Sequence, residues 1–97
     1  MEEQEYIIML YDYYGELFND KQREYFENYY FDNLSLSEIA QNEDISRNAV
    51  HKGIKSVVNK LYEYENKLGL YKKDQALKLL IQKITDEKLR KEFEELL

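Results

Sequence analysis

The side chains best suited to chemistry in this sequence lie between residues 46 and 55, and they are types that bind nucleic acid. Ser46 is a good N-cap, and Val50 and Ile54 mark the buried side of the helix that follows it. Arg, Asn and Lys side chains can bond to base edges in a major groove, and the free N–H groups at a helix start favour a phosphate. We therefore predict a nucleic-acid-binding face, whose members are Ser46, Arg47, Asn48, His51, Lys52 and Lys55.

The residues before this helix complete the pattern of a helix-turn-helix. Ile39 and Ala40 are predicted to lie on the first helix, where the small Ala40 side chain allows the second helix to approach closely. Ile45 is expected to fill the turn, and Val50 to pack back onto Ala40. The second helix would then be the recognition helix that enters a major groove.

Three positions depart from that pattern. Asp44 stands where the turn usually has Gly, and Glu43 stands where an apolar residue is usual. Gly53 lies inside the presumed recognition helix and costs it up to about 1 kcal/mol. The alternative interpretation is a helical hairpin whose basic face contacts no nucleic acid.

Composition and periodicity predict an all-α fold of five or six helices. The chain has 97 residues with no Pro, three Gly and 35% charged residues, which favours helices joined by short turns. We predict a single helical domain over residues 1–97, with the helix-turn-helix at about 35–55 and a helical tail at about 71–97. The predicted helices cover residues 3–18, 20 to about 33 after an Asn19 cap, 36–42 after a Ser35 cap, 47–68 up to Gly69, 72–84, and a last helix capped by Thr85 with Ile84 and Leu89 as a hydrophobic staple.

Charge is distributed unevenly along the chain. Its net charge is -6, but residues 1–45 carry -10, residues 46–83 carry +6 and residues 84–97 carry -2. A split of this kind suggests a basic face directed at a polyanion, or two opposed faces that meet in a complex. An ordinary solvated surface is the plainer alternative.

Several classes of function are unsupported by the residues present. With no Cys and one His, the chain offers no disulfide, thiolate zinc site or His-pair metal motif, and it has no Gly-rich phosphate loop. We therefore expect no enzyme activity, no catalytic residue, no cofactor and no metal. The early Glu residues do not resemble a signal peptide and the apolar runs are too short to cross a bilayer, so we expect a cytoplasmic protein without membrane insertion.

Aromatic residues are abundant in the first two predicted helices. The chain contains 10 Tyr and 4 Phe, more than one small core is expected to hold. They could fill a core with hydroxyls at its rim, or form a homodimer or partner surface that includes an exposed Tyr13. The long apolar stripe of the fourth helix adds to this surface, and we predict a homodimer.

Taken together, several motifs resemble the YlxM family of small bacterial proteins. The motifs are the Tyr-rich segment 9–18, the segment 21–26, the helix-turn-helix pieces 34–40 and 45–50, and the segment 61–70. Members of that family have a helix-turn-helix like region 4 of sigma factors, and their genes lie beside those of the signal recognition particle. The resemblance implies a regulatory role in the signal recognition particle pathway, with Arg47, Asn48, His51 and Lys52 on the recognition helix. The alternative is a protein–protein adaptor that engages signal recognition particle protein or RNA without reading DNA.

Overall fold

A computed structural model describes residues 2–97, which form six α-helices; Met1, the first residue of the predicted domain, lies outside this range. The helices are α1 (Glu2–Tyr14), α2 (Asp20–Tyr30), α3 (Leu36–Glu43), α4 (Arg47–Leu68), α5 (Leu70–Ile81) and α6 (Glu87–Glu95), with one 3-10 turn at Gly15–Leu17 after α1. No strand occurs within residues 2–97. The all-α prediction is therefore confirmed, with the helix-turn-helix segment lying in α3 and the start of α4.

The predicted N-caps of α2, α3 and α4 are confirmed. Asn19 and Gln22 form a capping box, as do Ser35 and Glu38, with each side chain accepting from the backbone of the other residue. The Ser46 side chain accepts a bond from the Ala49 N–H at 3.0 Å. Local hydrogen bonds therefore set where these helices begin.

The first helix is shorter than predicted. α1 ends at Tyr14 instead of continuing to Phe18, and the next three residues form a tighter 3-10 turn. Gly15 lies against the Tyr11 ring, and a Cβ at this position would be 3.2 Å from that ring. This close approach requires glycine, a weak helix former, and coincides with the end of the regular helix.

The junction between α4 and α5 is also tighter than predicted. Gly69, with a φ of 63°, ends α4 and directly precedes α5, which begins at Leu70 instead of residue 72. The Glu65 carboxylate accepts bonds from the N–H groups of Tyr71 and Lys72 at 3.0 and 3.1 Å. A side chain of α4 therefore caps α5, so the two helices need no loop between them.

The boundary between α5 and α6 differs from the predicted one. α5 ends at Ile81, three residues before the predicted end, and Asp86 instead of Thr85 caps α6 by accepting from the Leu89 N–H at 3.0 Å. With Asp86 as the cap, the predicted pair of Ile84 and Leu89 no longer has the spacing of a hydrophobic staple. That pairing was wrong because it depended on the position of the cap.

The core consists of two buried clusters that α4 joins. The larger cluster contains Ile7, Leu10, Tyr11, Tyr14, Phe18, Phe26, Val57 and Leu61. The smaller cluster contains Ile39, Ala40, Val50 and Ile54. The first half of α4 thus packs on α3 and its second half on α1 and α2, which makes α4 the central helix.

Most tyrosine rings belong to this core instead of forming a surface. Of the ten Tyr residues, Tyr29 alone is exposed, at 37%. The expectation that Tyr13 is exposed is wrong, because its half-buried ring packs edge-on against Tyr71 and its hydroxyl donates to Asp74 at 2.6 Å. The interpretation of these rings as a rim-hydroxyl core is the one the structure supports.

The C-terminal helices project from the rest of the molecule. α5 packs on α1 and α4 near its start, whereas α6 packs mainly against α5. The molecule measures 56 × 25 × 24 Å, with a radius of gyration of 17.2 Å. Between residues 2 and 97, no helix is both long and apolar enough to cross a membrane.

Candidate nucleic-acid interface

The turn between α3 and α4 has the backbone of a helix-turn-helix. Asp44 adopts the left-handed conformation with a φ of 54°, and its N–H group bonds to the Ala40 carbonyl. The Ile45 N–H donates to the same carbonyl at 3.1 Å. Asp tolerates this conformation better than most residues, which explains how it can occupy the usual glycine position.

The prediction that Ile45 fills the turn is wrong. Its side chain is 37% exposed, and its contribution to the turn is the backbone bond to Ala40. The core beneath the turn is instead completed by residues that precede α3 or begin it, namely Tyr25, Leu34 and Leu36. Tyr25 reaches this core from α2 and Leu34 from the segment between α2 and α3, and local sequence patterns indicated neither contact.

Gly53 has a packing role in α4. A Cβ on Gly53 would lie 3.2 Å from Cδ2 of the Tyr25 ring. Glycine therefore lets α2 come close to α4 at this level. The residue that weakens α4 as an isolated helix also allows the helix to sit against its neighbour.

The six predicted site residues are all exposed, at the turn and on the outer side of α4. At about 100° per residue, Asn48, Lys52 and Lys55 form one stripe opposite the buried Val50 and Val57. His51 lies beside that stripe, and Ser46 and Arg47 lie at its N-terminal end. We call this surface the reading face, with members Ser46, Arg47, Asn48, His51, Lys52 and Lys55.

Asn59 extends the reading face by one turn and was missed in the sequence. It is exposed and follows Lys55 at a spacing of four residues. The spacing of residues 48, 52, 55 and 59 was the signal that could have identified it. Asn is also a side-chain type that can bond to base edges.

The reading face is basic, and its cations form no ion pair with any residue that the structure describes. Residues 46–62 contain four basic residues and no acidic residue. Among the residues that the structure describes, the basic partners in ion pairs are Lys21, Arg23, Lys67 and Arg90, all outside the reading face. Glu43, at the end of α3, accepts from Lys21 at 2.6 Å, which offsets its charge next to the turn.

A groove of about 660 Å³ borders the reading face. His51, Lys55 and Asn59 line one side of it, Tyr62 adds an aromatic ring further along α4, and Tyr29 adds one from α2. The α4 surface is therefore a ridge beside a recess. Within residues 2–97, no cluster of three or more His, Asp or Glu side chains could hold a metal ion.

Comparison with known proteins gives a consistent match over the chain. Residues 1–97 match the model of the UPF0122 family, described as "Putative helix-turn-helix protein, YlxM / p13 like". A UPF0122 protein of Caldanaerobacter subterraneus subsp. tengcongensis is 47% identical over 81 residues, which is 84% of this chain and 69% of that protein. Relatives in Malacoplasma penetrans and in a Geobacillus species are 43% and 46% identical, over 86% and 84% of this chain and 78% and 74% of their own lengths.

Proposed function

The chain belongs to the UPF0122 family of YlxM- and p13-like proteins, and from this membership we propose that it is a non-catalytic regulator that binds duplex DNA through the reading face. The α4 helix is the recognition helix in this proposal. Its exposed Arg, Asn and Lys side chains contact base edges and phosphates in a major groove.

One observation carries the proposal: the face of α4 that a helix-turn-helix offers to DNA has exposed basic side chains free of ion pairs among the described residues. Arg47 and Lys52 can contact bases or phosphates without first breaking an internal salt bridge. Ser46 lies where the N–H groups at the start of α4 favour a phosphate. Asn48 and His51 lie between these charges and are placed for base edges.

The test is the double substitution Arg47→Ala/Lys52→Ala. Both side chains are exposed, so the free energy of unfolding is expected to change by less than about 0.5 kcal/mol per site. Binding to a mixed-sequence duplex depends mainly on phosphate contacts, and the double substitution removes two of the positive charges that can make them, so affinity at low salt is expected to fall by about tenfold or more. Fluorescence anisotropy and urea unfolding measure the two quantities.

The matched control is Lys88→Ala/Lys91→Ala, which removes two positive charges from exposed sites on α6. We expect it to bind the same duplex within about twofold of the parent, because only screened long-range attraction changes. Equal affinity of the folded Arg47→Ala/Lys52→Ala protein and this control would refute DNA binding by the reading face.

The alternative function is an adaptor that engages signal recognition particle protein or RNA. A surface of exposed tyrosines would favour this adaptor function. Most of the tyrosine rings are instead buried or half-buried, so the residues that the structure describes do not form this surface. A pull-down from cell extract, with and without nuclease, distinguishes the two functions. Recovery of signal recognition particle protein after nuclease treatment, unchanged by Arg47→Ala/Lys52→Ala, would favour the adaptor, whereas nuclease-sensitive recovery would favour nucleic-acid binding.

A further inference from the structure

The α5–α6 hairpin carries an apolar surface that the described chain leaves uncovered. Leu77 and Leu80 lie on the same stripe of α5 as the buried Ile81, yet they are 37% and 59% exposed. On α6, Leu89, Phe93 and Leu96 recur at spacings of four and three residues and are 44%, 43% and 82% exposed. We call these five residues the tail face.

The whole molecule has more surface than a compact monomer of its mass. Its accessible surface is 7230 Å², whereas a monomer of 11.8 kDa is expected to expose about 5,900 Å². Its radius of gyration is 17.2 Å, against about 12.5 Å for a compact chain of this length. The excess of about 1,300 Å² exceeds the roughly 800 Å² that each partner buries in a standard interface.

Charge around the tail face suits a second copy of the same chain. The α5 helix and the residue after its C-cap carry Lys72, Lys73, Lys78 and Lys83 against one acidic residue, Asp74, whereas the end of α6 carries Glu92, Glu94 and Glu95, of which Glu94 pairs with Arg90 of its own helix. In a two-fold arrangement the same patch occurs on both sides, so α5 of one copy can face α6 of the other. Each copy then places lysines beside its partner's glutamates while the leucines and Phe93 meet at the centre.

We propose that the tail face is the interface of a homodimer, in which the α5–α6 hairpins of two protomers pack against each other. This places the dimer contact on the C-terminal helices and away from the tyrosine-rich helices. It leaves the reading face of each protomer free, because that face lies at the opposite end of α4. The proposal is independent of whether the reading face binds DNA.

The test measures the mass of the full chain in solution by sedimentation equilibrium. The parent is expected to have about twice the 11.8 kDa monomer mass at tens of micromolar. Leu80→Glu introduces a charge at the centre of the tail face and is expected to give monomers with unchanged helical circular dichroism. A parent chain that stays monomeric at these concentrations would overturn the proposal.

Leu79→Glu is the matched control, since Leu79 is 62% exposed but lies on the other side of α5. It is expected to remain dimeric, and a dimer broken by Leu79→Glu but not by Leu80→Glu would also overturn the proposal. Should Leu80→Glu lose helical signal, Leu80→Ala replaces it. That variant is expected to raise the dimer dissociation constant about tenfold, with Leu79→Ala within about twofold of the parent, and equal constants for the two variants would count against the tail face.

Discussion

Three tyrosine hydroxyls in the core donate to carboxylates, which explains how the chain buries so many rings. Each hydrogen bond is 2.6 Å long: the hydroxyl of Tyr11 donates to Glu27, that of Tyr13 to Asp74, and that of Tyr14 to Glu65. The carboxylates are 16, 61 and 51 residues away along the chain. The sequence could therefore identify the rings as unusual but could not assign their partners, because these contacts exist only after folding.

These contacts predict that the protein loses stability in alkali. The pKa of Tyr11 is raised from the ordinary 10.0 to about 12, mainly by burial and also by the hydrogen bond to Glu27. The pKa of Tyr13 is also raised to about 12, mainly by the hydrogen bond to Asp74 and also by burial. Below pH 10 both states keep these protons; as pH rises towards 12 the unfolded chain releases them first, so the stabilisation is progressively lost. Urea unfolding between pH 10 and 12 should show that the free energy of unfolding falls as pH rises. Ultraviolet absorbance should show that some tyrosines ionise well above pH 10. In Tyr13→Phe the free energy of unfolding should fall less over the same range. A parent and Tyr13→Phe with identical pH profiles would contradict the role assigned to Tyr13.

At the scale of elements, the fit between α2 and α4 depends on one missing side chain. Gly53 leaves room for Tyr25, which packs against the smaller core cluster and lies below Lys21. Alanine is intrinsically better than glycine inside a helix by about 1 kcal/mol. The 3.2 Å approach to the ring opposes that gain, so the two effects compete at this position.

We predict that Gly53→Ala and Tyr25→Ala are not additive. In the parent, Gly53→Ala is expected to change the free energy of unfolding by less than about 0.5 kcal/mol, because helix propensity and crowding offset each other. In the Tyr25→Ala background the crowding is gone, and the same change is expected to stabilise by about 1 kcal/mol. A double-mutant cycle measured by urea unfolding gives the coupling, and a coupling near zero would show that the ring does not restrict residue 53.

Local patterns predicted more of the elements than of their contacts. The bounds of α4 and the caps at Asn19, Ser35 and Ser46 follow from side chains within a few residues, and the structure confirms them. The early end of α1 and the exposed Ile45 were predicted wrongly: the apolar spacing continues through Leu17 and Phe18, although the regular helix ends where Gly15 packs against the Tyr11 ring. In the same way, spacing predicted that the reading face is exposed, whereas the groove beside it is formed by several helices and had no local signal.

At the scale of the whole molecule, the acidic and basic blocks fall on different helices. The block of residues 1–45, with charge -10, supplies α1, α2 and α3, whereas the block 46–83, with charge +6, supplies α4 and α5. The basic reading face therefore lies on a molecule whose α1, α2 and α3 helices repel a polyanion. This arrangement favours one orientation of approach and limits how many phosphates the protein can contact.

We predict weak DNA binding with a moderate dependence on salt. Arg47, Lys52, Lys55 and Lys60 are the basic residues of α4 that can contact phosphates near the reading face. Four contacts correspond to a slope of about -3.6 per protomer in a plot of log affinity against log salt. Lys55→Gln is expected to reduce the slope by about 1, whereas Lys88→Gln leaves it unchanged. A slope near zero for the parent would exclude phosphate binding by these residues.

Because α4 is long and is held at Glu65 and Gly69 near its C-terminal end, a small tilt about this junction produces a large displacement at its N-terminal end. Glu65 accepts hydrogen bonds from the Tyr14 hydroxyl and from the N–H groups of Tyr71 and Lys72. These bonds hold α1, α4 and α5 together at the C-terminal end of α4. The 22 residues of α4 span about 33 Å, so a tilt of about 10° at this junction would carry Arg47 through about 6 Å. That distance exceeds the 3.4 Å rise between bases along a strand. In the proposed complex with DNA, small rotations at the C-terminal end of α4 would therefore change which bases its N-terminal end can reach, and the hydrogen bonds of Glu65 oppose such rotations.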